Sequence, residues 1–130
     1  MAIALLDTSV VIGYLDANDA LHGKAVPLVQ QVKGNFGLEL SMVNYSELLV
    51  GAHRSGQETV TKLDNIIDSL FTLVPITREI AGRGAELRAS YPDLKLPDAL
   101  IIATGLQQGA SQIITGDAAW QKVDPSVRVI

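Results

Sequence analysis

Apolar residues come in two rhythms along this chain. Short continuous runs at Ile3–Leu6, Leu38–Met42, Phe71–Ile76, Gln112–Thr115 and Val127–Ile130 predict strands, the first covered on both faces because nothing polar interrupts it. Between them apolar positions recur at helical spacing. Glu58–Leu70, with Val60, Leu63, Ile66, Ile67 and Leu70, shows this most clearly. Thr8 or Ser9 is placed to cap a helix through Leu15, which leaves by the polar stretch Asp16–Asp19. Further helices are predicted at Leu21–Val32, Val43–Ala52, from a Thr77 cap to Ser90, at Asp98–Gln108 with Pro97 in its first turn, and briefly at Ala118–Val123. Pro75, near the end of the third run, predicts a sheet edge or a strand terminus. Strands alternating with helices predict an α/β fold, a mostly parallel sheet flanked by helices.

Composition narrows the chemistry. With 130 residues, 48% of them hydrophobic and 18% charged, the chain suits one domain over residues 1–130 with a sizeable core. It has no cysteine, so disulfides, thiolate nucleophiles and Cys-based metal sites are excluded. His22 and His53 lie too far apart for a histidine metal motif. The apolar N-terminus lacks a basic leader and is broken by Asp7, and no spanning-length apolar run exists, so no membrane segment and a cytoplasmic location are expected. A mean hydropathy of +0.27 is high for a small monomer and predicts an exposed apolar surface that a partner covers.

Four of the fourteen acidic residues occupy unusual places. Asp7 closes the first apolar strand, and Asp117 follows the fourth by one glycine. Ligands of open α/β sheets bind beyond the carboxyl ends of strands, and parallel strands put both residues at that edge, although turn and cap roles explain either one alone. Glu47 falls between Val43 and Val50 on an apolar stripe, which predicts a partly desolvated carboxylate unless the stripe is misphased and the residue faces water. Asp98 opens a helix that is apolar on nearly every face (Ala99–Ala103), where the first-turn N–H groups attract an acid. Together the four suggest more than each does singly. Carboxylates gathered within a few ångströms cannot all stay ionised without a cation, and an oxygen-only donor set suits Mg²⁺ or Mn²⁺ over zinc.

The segments carrying these acids, LLDTSVVI (5–12), NYSELLVG (44–51), LPDALIIATG (96–105) and IITGD (113–117), resemble the four acidic motifs of the PIN-domain ribonucleases, and in length and order the VapC toxins of toxin–antitoxin pairs. The resemblance spans nearly the whole chain. It implies a three-layer sandwich with a small parallel sheet, and an Mg²⁺-dependent endoribonuclease that hydrolyses RNA phosphodiester bonds to 5′-phosphate and 3′-hydroxyl ends. It further implies a catalytic quartet of Asp7, Glu47, Asp98 and Asp117, with metal held by Asp7, Asp98 and Asp117 and orienting hydroxyls from Thr8, Ser9 and Thr115. The implied partners are a second copy of the chain, as a homodimer, and a VapB-like antitoxin lying along the active-site groove. The chain departs from the family pattern at Gly116, where Asn or Arg is frequent, and at Ala119-Trp120, where an Asp-Phe pair is frequent.

A net charge of −4 is unusual for a protein that grips many phosphates and implies a compact RNA footprint. Arg78, Arg83 and Arg88 recur in steps of five, which makes no single helical stripe and reads as solvated surface. Lys95, just before Asp98, is the better candidate for touching the scissile phosphate. His22 and His53 read as capping or solvent-facing, and Trp120 as cover for the sheet edge in preference to a base-stacking platform. Two rivals remain. A phosphoreceiver domain would need paired acids after the first strand and an acceptor Asp after the third, where Thr77 and Arg78 stand instead. A PIN-like binding or assembly module without nuclease activity would not need all four acids.

Overall fold

The structure, a computed structural model, describes residues 1–130. The first strand, β1 (Ile3–Leu6), runs through the middle of a five-stranded sheet. Helices α1 (Thr8–Leu15) and α2 (His22–Lys33) lead to β2 (Gly37–Ser41), and α3 (Met42–Ser55) and α4 (Gln57–Leu70) lead to β3 (Thr72–Val74). Helices α5 (Arg78–Ser90) and α6 (Leu96–Gln107) precede β4 (Gln112–Thr115), and a short 3-10 helix (Ala118–Lys122) precedes β5 (Val127–Val129). The strand order is β3-β2-β1-β4-β5 and every pairing is parallel, so the sheet goes beyond the mostly parallel expectation.

Side-chain alternation along the strands divides the core into two layers. Ala4 and Leu6 of β1, Leu38 and Leu40 of β2 and Ile114 of β4 face the layer built from α1 to α4, where Val10, Val29, Leu48 and Ile67 are buried. Leu5, Ile113 and Val127 face the other way, against Ile101 and Ile102 of α6 and against Trp120. Both layers are needed because central parallel strands bury both faces. Cutting Ile102 back to Ala would remove about 2–5 kcal/mol of stability, as truncations at closed core sites do.

Several boundaries move, each for a local reason. Asp7 itself caps α1, accepting the N–H of Thr8, so the cap is one residue earlier than the hydroxyls suggested. Helix α3 starts at Met42 and runs to Ser55, and Gly56 (φ 118°) lets the chain turn at once into α4. The third strand is confined to Thr72–Val74 and does lie at the sheet edge. Thr77 caps α5 as expected, its hydroxyl accepting the N–H of Ile80 at 3.2 Å. No helix is long and apolar enough to cross a membrane.

Candidate active site

Strand order reverses between β1 and β4. The chain moves from β1 towards β2 on one side and returns through β4 to β5 on the other. A crevice opens at such a switch point beyond the carboxyl ends of the strands. Asp7 sits there, its backbone N–H still bonded to the Ile114 carbonyl of β4 (2.8 Å) and its side chain buried. Oδ1 accepts the Thr8 N–H (2.8 Å), and Oδ2 accepts the hydroxyls of Ser9 (3.0 Å) and Thr115 (2.8 Å). The two hydroxyls are themselves anchored: Ser9 Oγ accepts the Gly116 N–H (3.1 Å) and Thr115 Oγ1 the Asp117 N–H (3.0 Å). Asp7 is only 7% exposed. Burial outweighs the three donors, the nearby charge of Asp98 adds to it, and the Asp7 pKa is raised to about 6.

Asp98 stands half-buried in the first turn of α6. Burial pushes its carboxyl up, the negative charges of Glu47 and Asp117 push further, and the Lys95 ammonium opposes them. The indole N–H of Trp120 also lies close enough to favour ionised Asp98, although it reaches no acceptor with hydrogen-bond geometry and is buried without a partner. That contact is better described as a nearby dipole than as a bond. Asp98, Asp117 and Trp120 share the wall of a cavity of about 20 Å³.

The other two acids are exposed at the rim. Asp117 caps the 3-10 helix, its Oδ1 accepting the Ala119 N–H at 2.9 Å, so the plain capping role is real and coexists with proximity to Asp98. Glu47 corrects the phasing of α3. The buried face of that helix is Asn44, Leu48 and Ala52, Val50 is exposed, and Glu47 points outward. Its carboxylate is steered towards the site instead by the Thr8 hydroxyl, which donates to Oε1 at 2.7 Å.

The four acids therefore meet at one edge of the sheet, linked through Asp98. They are not closed around a point: no three acidic or imidazole side chains stand close enough to share an ion. The donor set is carboxylate and hydroxyl oxygen throughout, which in kind suits a hard divalent cation, and Mg²⁺ is commonly held by one or two carboxylates with water completing its shell.

Lys95 is exposed beside Asp98, whereas Arg78, Arg83 and Arg88 are spread over the exposed surface of α5. His22 bonds the Gly13 carbonyl (2.8 Å), tying α2 to α1, and His53 is exposed in the last turn of α3. Trp120 is buried (1% exposed) against β4 and β5, covering the sheet edge. At Gly116 a Cβ would stand 2.5 Å from Leu21 Cδ1, so a larger residue there requires Leu21 to move. One site-supporting residue was missed from sequence, Asn44, which is wholly buried and donates to Thr8. The signal was present: Ser41-x-x-Asn44 is the spacing of a capping box, and it closes at the start of α3.

Solved structures with the same architecture include a toxin–antitoxin complex from Klebsiella pneumoniae, 29% identical, TM-score 0.76, over 97% of this chain and 96% of that one. FitAcB from Neisseria gonorrhoeae is 20% identical, TM-score 0.76, covering 95% of each chain. VapC20 of Mycobacterium tuberculosis, a sarcin–ricin loop cleaving toxin, is 17% identical, TM-score 0.73, over 93% of this chain and 96% of that one. No curated protein sequence matches significantly. The PIN-domain family model matches residues 4–125, which include all four acids, and the chain belongs to the PIN-domain family.

Proposed function

We propose that this PIN domain is the toxin of a VapBC-type toxin–antitoxin pair and an endoribonuclease that hydrolyses RNA phosphodiester bonds with Mg²⁺, or Mn²⁺ in its place. The observation that carries this reading is Asp7: a carboxylate buried at the switch point, held by three donors and still raised to about 6, with Asp98 as its charged neighbour. Burying one carboxylate near a second, half-buried one is costly unless a cation offsets their charge. The toxin–antitoxin complex at 29% identity supports the cellular role.

Asp7 and Asp98 would hold the ion, with Asp117 reaching it through water. When bound, it lowers the pKa of water and offsets charge developing on the phosphate. Ser9 and Thr115 keep the Asp7 carboxylate in one orientation. Glu47, exposed and hydrogen-bonded to Thr8, would complete the shell through water or take a proton from the attacking water. Lys95 brings a positive charge beside Asp98, where it would meet the scissile phosphate.

Two protein partners fit the surface. A groove of about 320 Å³ between α1, α3 and α4 is lined by Ile12, Leu15, Leu48 and Leu63 together with the acids Glu47 and Asp16. It would take an apolar antitoxin segment whose basic residue reaches the carboxylates. A second copy would cover exposed apolar residues such as Val50 and Leu96, giving a homodimer. Expressing the chain alone and with its small genomic neighbour tests the reading. Growth arrest, mapped RNA ends and relief by the neighbour support it, and unimpaired growth with intact RNA overturns it.

A further inference from the structure

Asn44 is the third residue of α3 and is fully buried although its side chain carries two polar groups. Both are used. Oδ1 accepts the Ser41 backbone N–H (3.0 Å), which fixes the amide's orientation and leaves Nδ2 facing Thr8 Oγ1 at 3.0 Å. An amide nitrogen can only donate, so the Thr8 oxygen accepts on that side. A hydroxyl has a single proton to give, and that proton is turned towards Glu47 Oε1, 2.7 Å away. Glu47 would otherwise be a long exposed side chain free to sample many rotamers.

We propose that Asn44 is a positioning residue: it sets the direction of the Asn44–Thr8–Glu47 relay and thereby aims the Glu47 carboxylate at the site formed by Asp7 and Asp98. It touches neither substrate nor ion, and acts through Thr8. Its consequence for catalysis rests on the nuclease reading above, whereas the relay itself does not.

Asn44→Asp is the sharpest test, because it keeps shape and keeps an acceptor for the Ser41 N–H but replaces the donor facing Thr8 by an acceptor. With residue 44 ionised, two carboxylates compete for the single Thr8 proton and Glu47 loses its exclusive donor. Thr8→Val deletes the hydroxyl at similar volume, and Thr8→Ser restores it. Removing such an outer partner lowers kcat by about 10–100-fold, the usual cost of losing a group that orients a site ligand. The KM for RNA stays within about twofold, because the loss is not in substrate binding. The double variant Asn44→Asp/Thr8→Val is no worse than Thr8→Val alone, since both cut one chain. Wild-type kcat in Asn44→Asp, or deficits that multiply in the double variant, overturns the proposal. If Asn44→Asp does not fold, the Thr8→Val and Thr8→Ser pair decides, with rescue by Ser expected and equal loss contradicting it. A second readout needs no activity: in the metal-free protein, Thr8→Val shifts the side-chain amide NMR signals of Asn44, and unchanged signals overturn the relay. Should the wild-type chain cleave no RNA, the nuclease reading falls and the NMR result alone judges the relay.

Discussion

Thr115, the last residue of β4, donates its hydroxyl proton to Asp7 Oδ2 at 2.8 Å, joining the ends of the two strands between which the sheet changes direction. The bond is fully buried, and the same hydroxyl oxygen accepts the Asp117 N–H. One side chain thus holds two acids of the site. Thr115→Val leaves a buried carboxylate short of a donor and a backbone N–H without its acceptor. We expect a stability loss of about 1–3 kcal/mol in urea unfolding near neutral pH, with Thr115→Ser close to wild type.

The raised pKa of Asp7 makes metal-free stability depend on pH. The ordinary value is 3.8 and the folded value about 6, so between them the folded protein holds a proton that the unfolded chain has released. Stability therefore falls as pH rises through this window, and the penalty is complete above about 6. Asp7→Asn removes the ionisation. Its metal-free Tm should exceed that of wild type at pH 7 to 8, reflecting a stability difference on the order of a few kcal/mol, and the advantage should vanish near pH 4. Mg²⁺ should stabilise wild type and leave Asp7→Asn unchanged. A wild-type Tm that climbs between pH 4 and 6 without metal contradicts the burial argument.

Trp120 is the single tryptophan, and its indole N–H lies near Asp98. Mn²⁺ added to the protein should perturb Trp120 fluorescence, and Asp98→Asn should abolish the response. Trp120→Ala, which opens a cavity beneath β5, should cost about 3–5 kcal/mol.

Placement of α6 depends on its close approach to β4. A Cβ on Gly105 would stand 2.7 Å from Ile113 Cδ1, whereas one on Gly82 of α5 meets nothing within 4 Å. Gly105→Ala should destabilise by about 1–3 kcal/mol through overpacking. Gly82→Ala should stabilise by about 0.5–1 kcal/mol, since helical Ala loses less backbone freedom than Gly. Equal effects at both positions would contradict the packing described.

Much of this was legible because parallel strands buried on both faces leave uninterrupted apolar runs, and an acid that ends such a run stands out. Ile3–Leu6 followed by Asp7, and Gln112–Thr115 followed by Gly116-Asp117, are matched residue for residue in β1 and β4. Glu47 was harder. The phase of α3 is set by Asn44, whose burial is made acceptable by its bonds to Ser41 and Thr8, and an apolar-stripe argument ranks an asparagine as exposed. Sequence left the α1 cap open among Asp7, Thr8 and Ser9, which all suit an N-cap, and the bond from the Thr8 N–H to Asp7 Oδ1 shows that Asp7 takes that role. Spacing between carboxylates on separate elements is not encoded in any local pattern.

The most direct measurement of the central claim is RNA cleavage by the purified chain with Mg²⁺, beside Asp7→Asn and Asp98→Asn. We expect metal-dependent cleavage leaving 5′-phosphate and 3′-hydroxyl ends, lost on chelation and reduced to background in both variants. Undiminished cleavage by either variant, with folding intact and Mg²⁺ present, would contradict it.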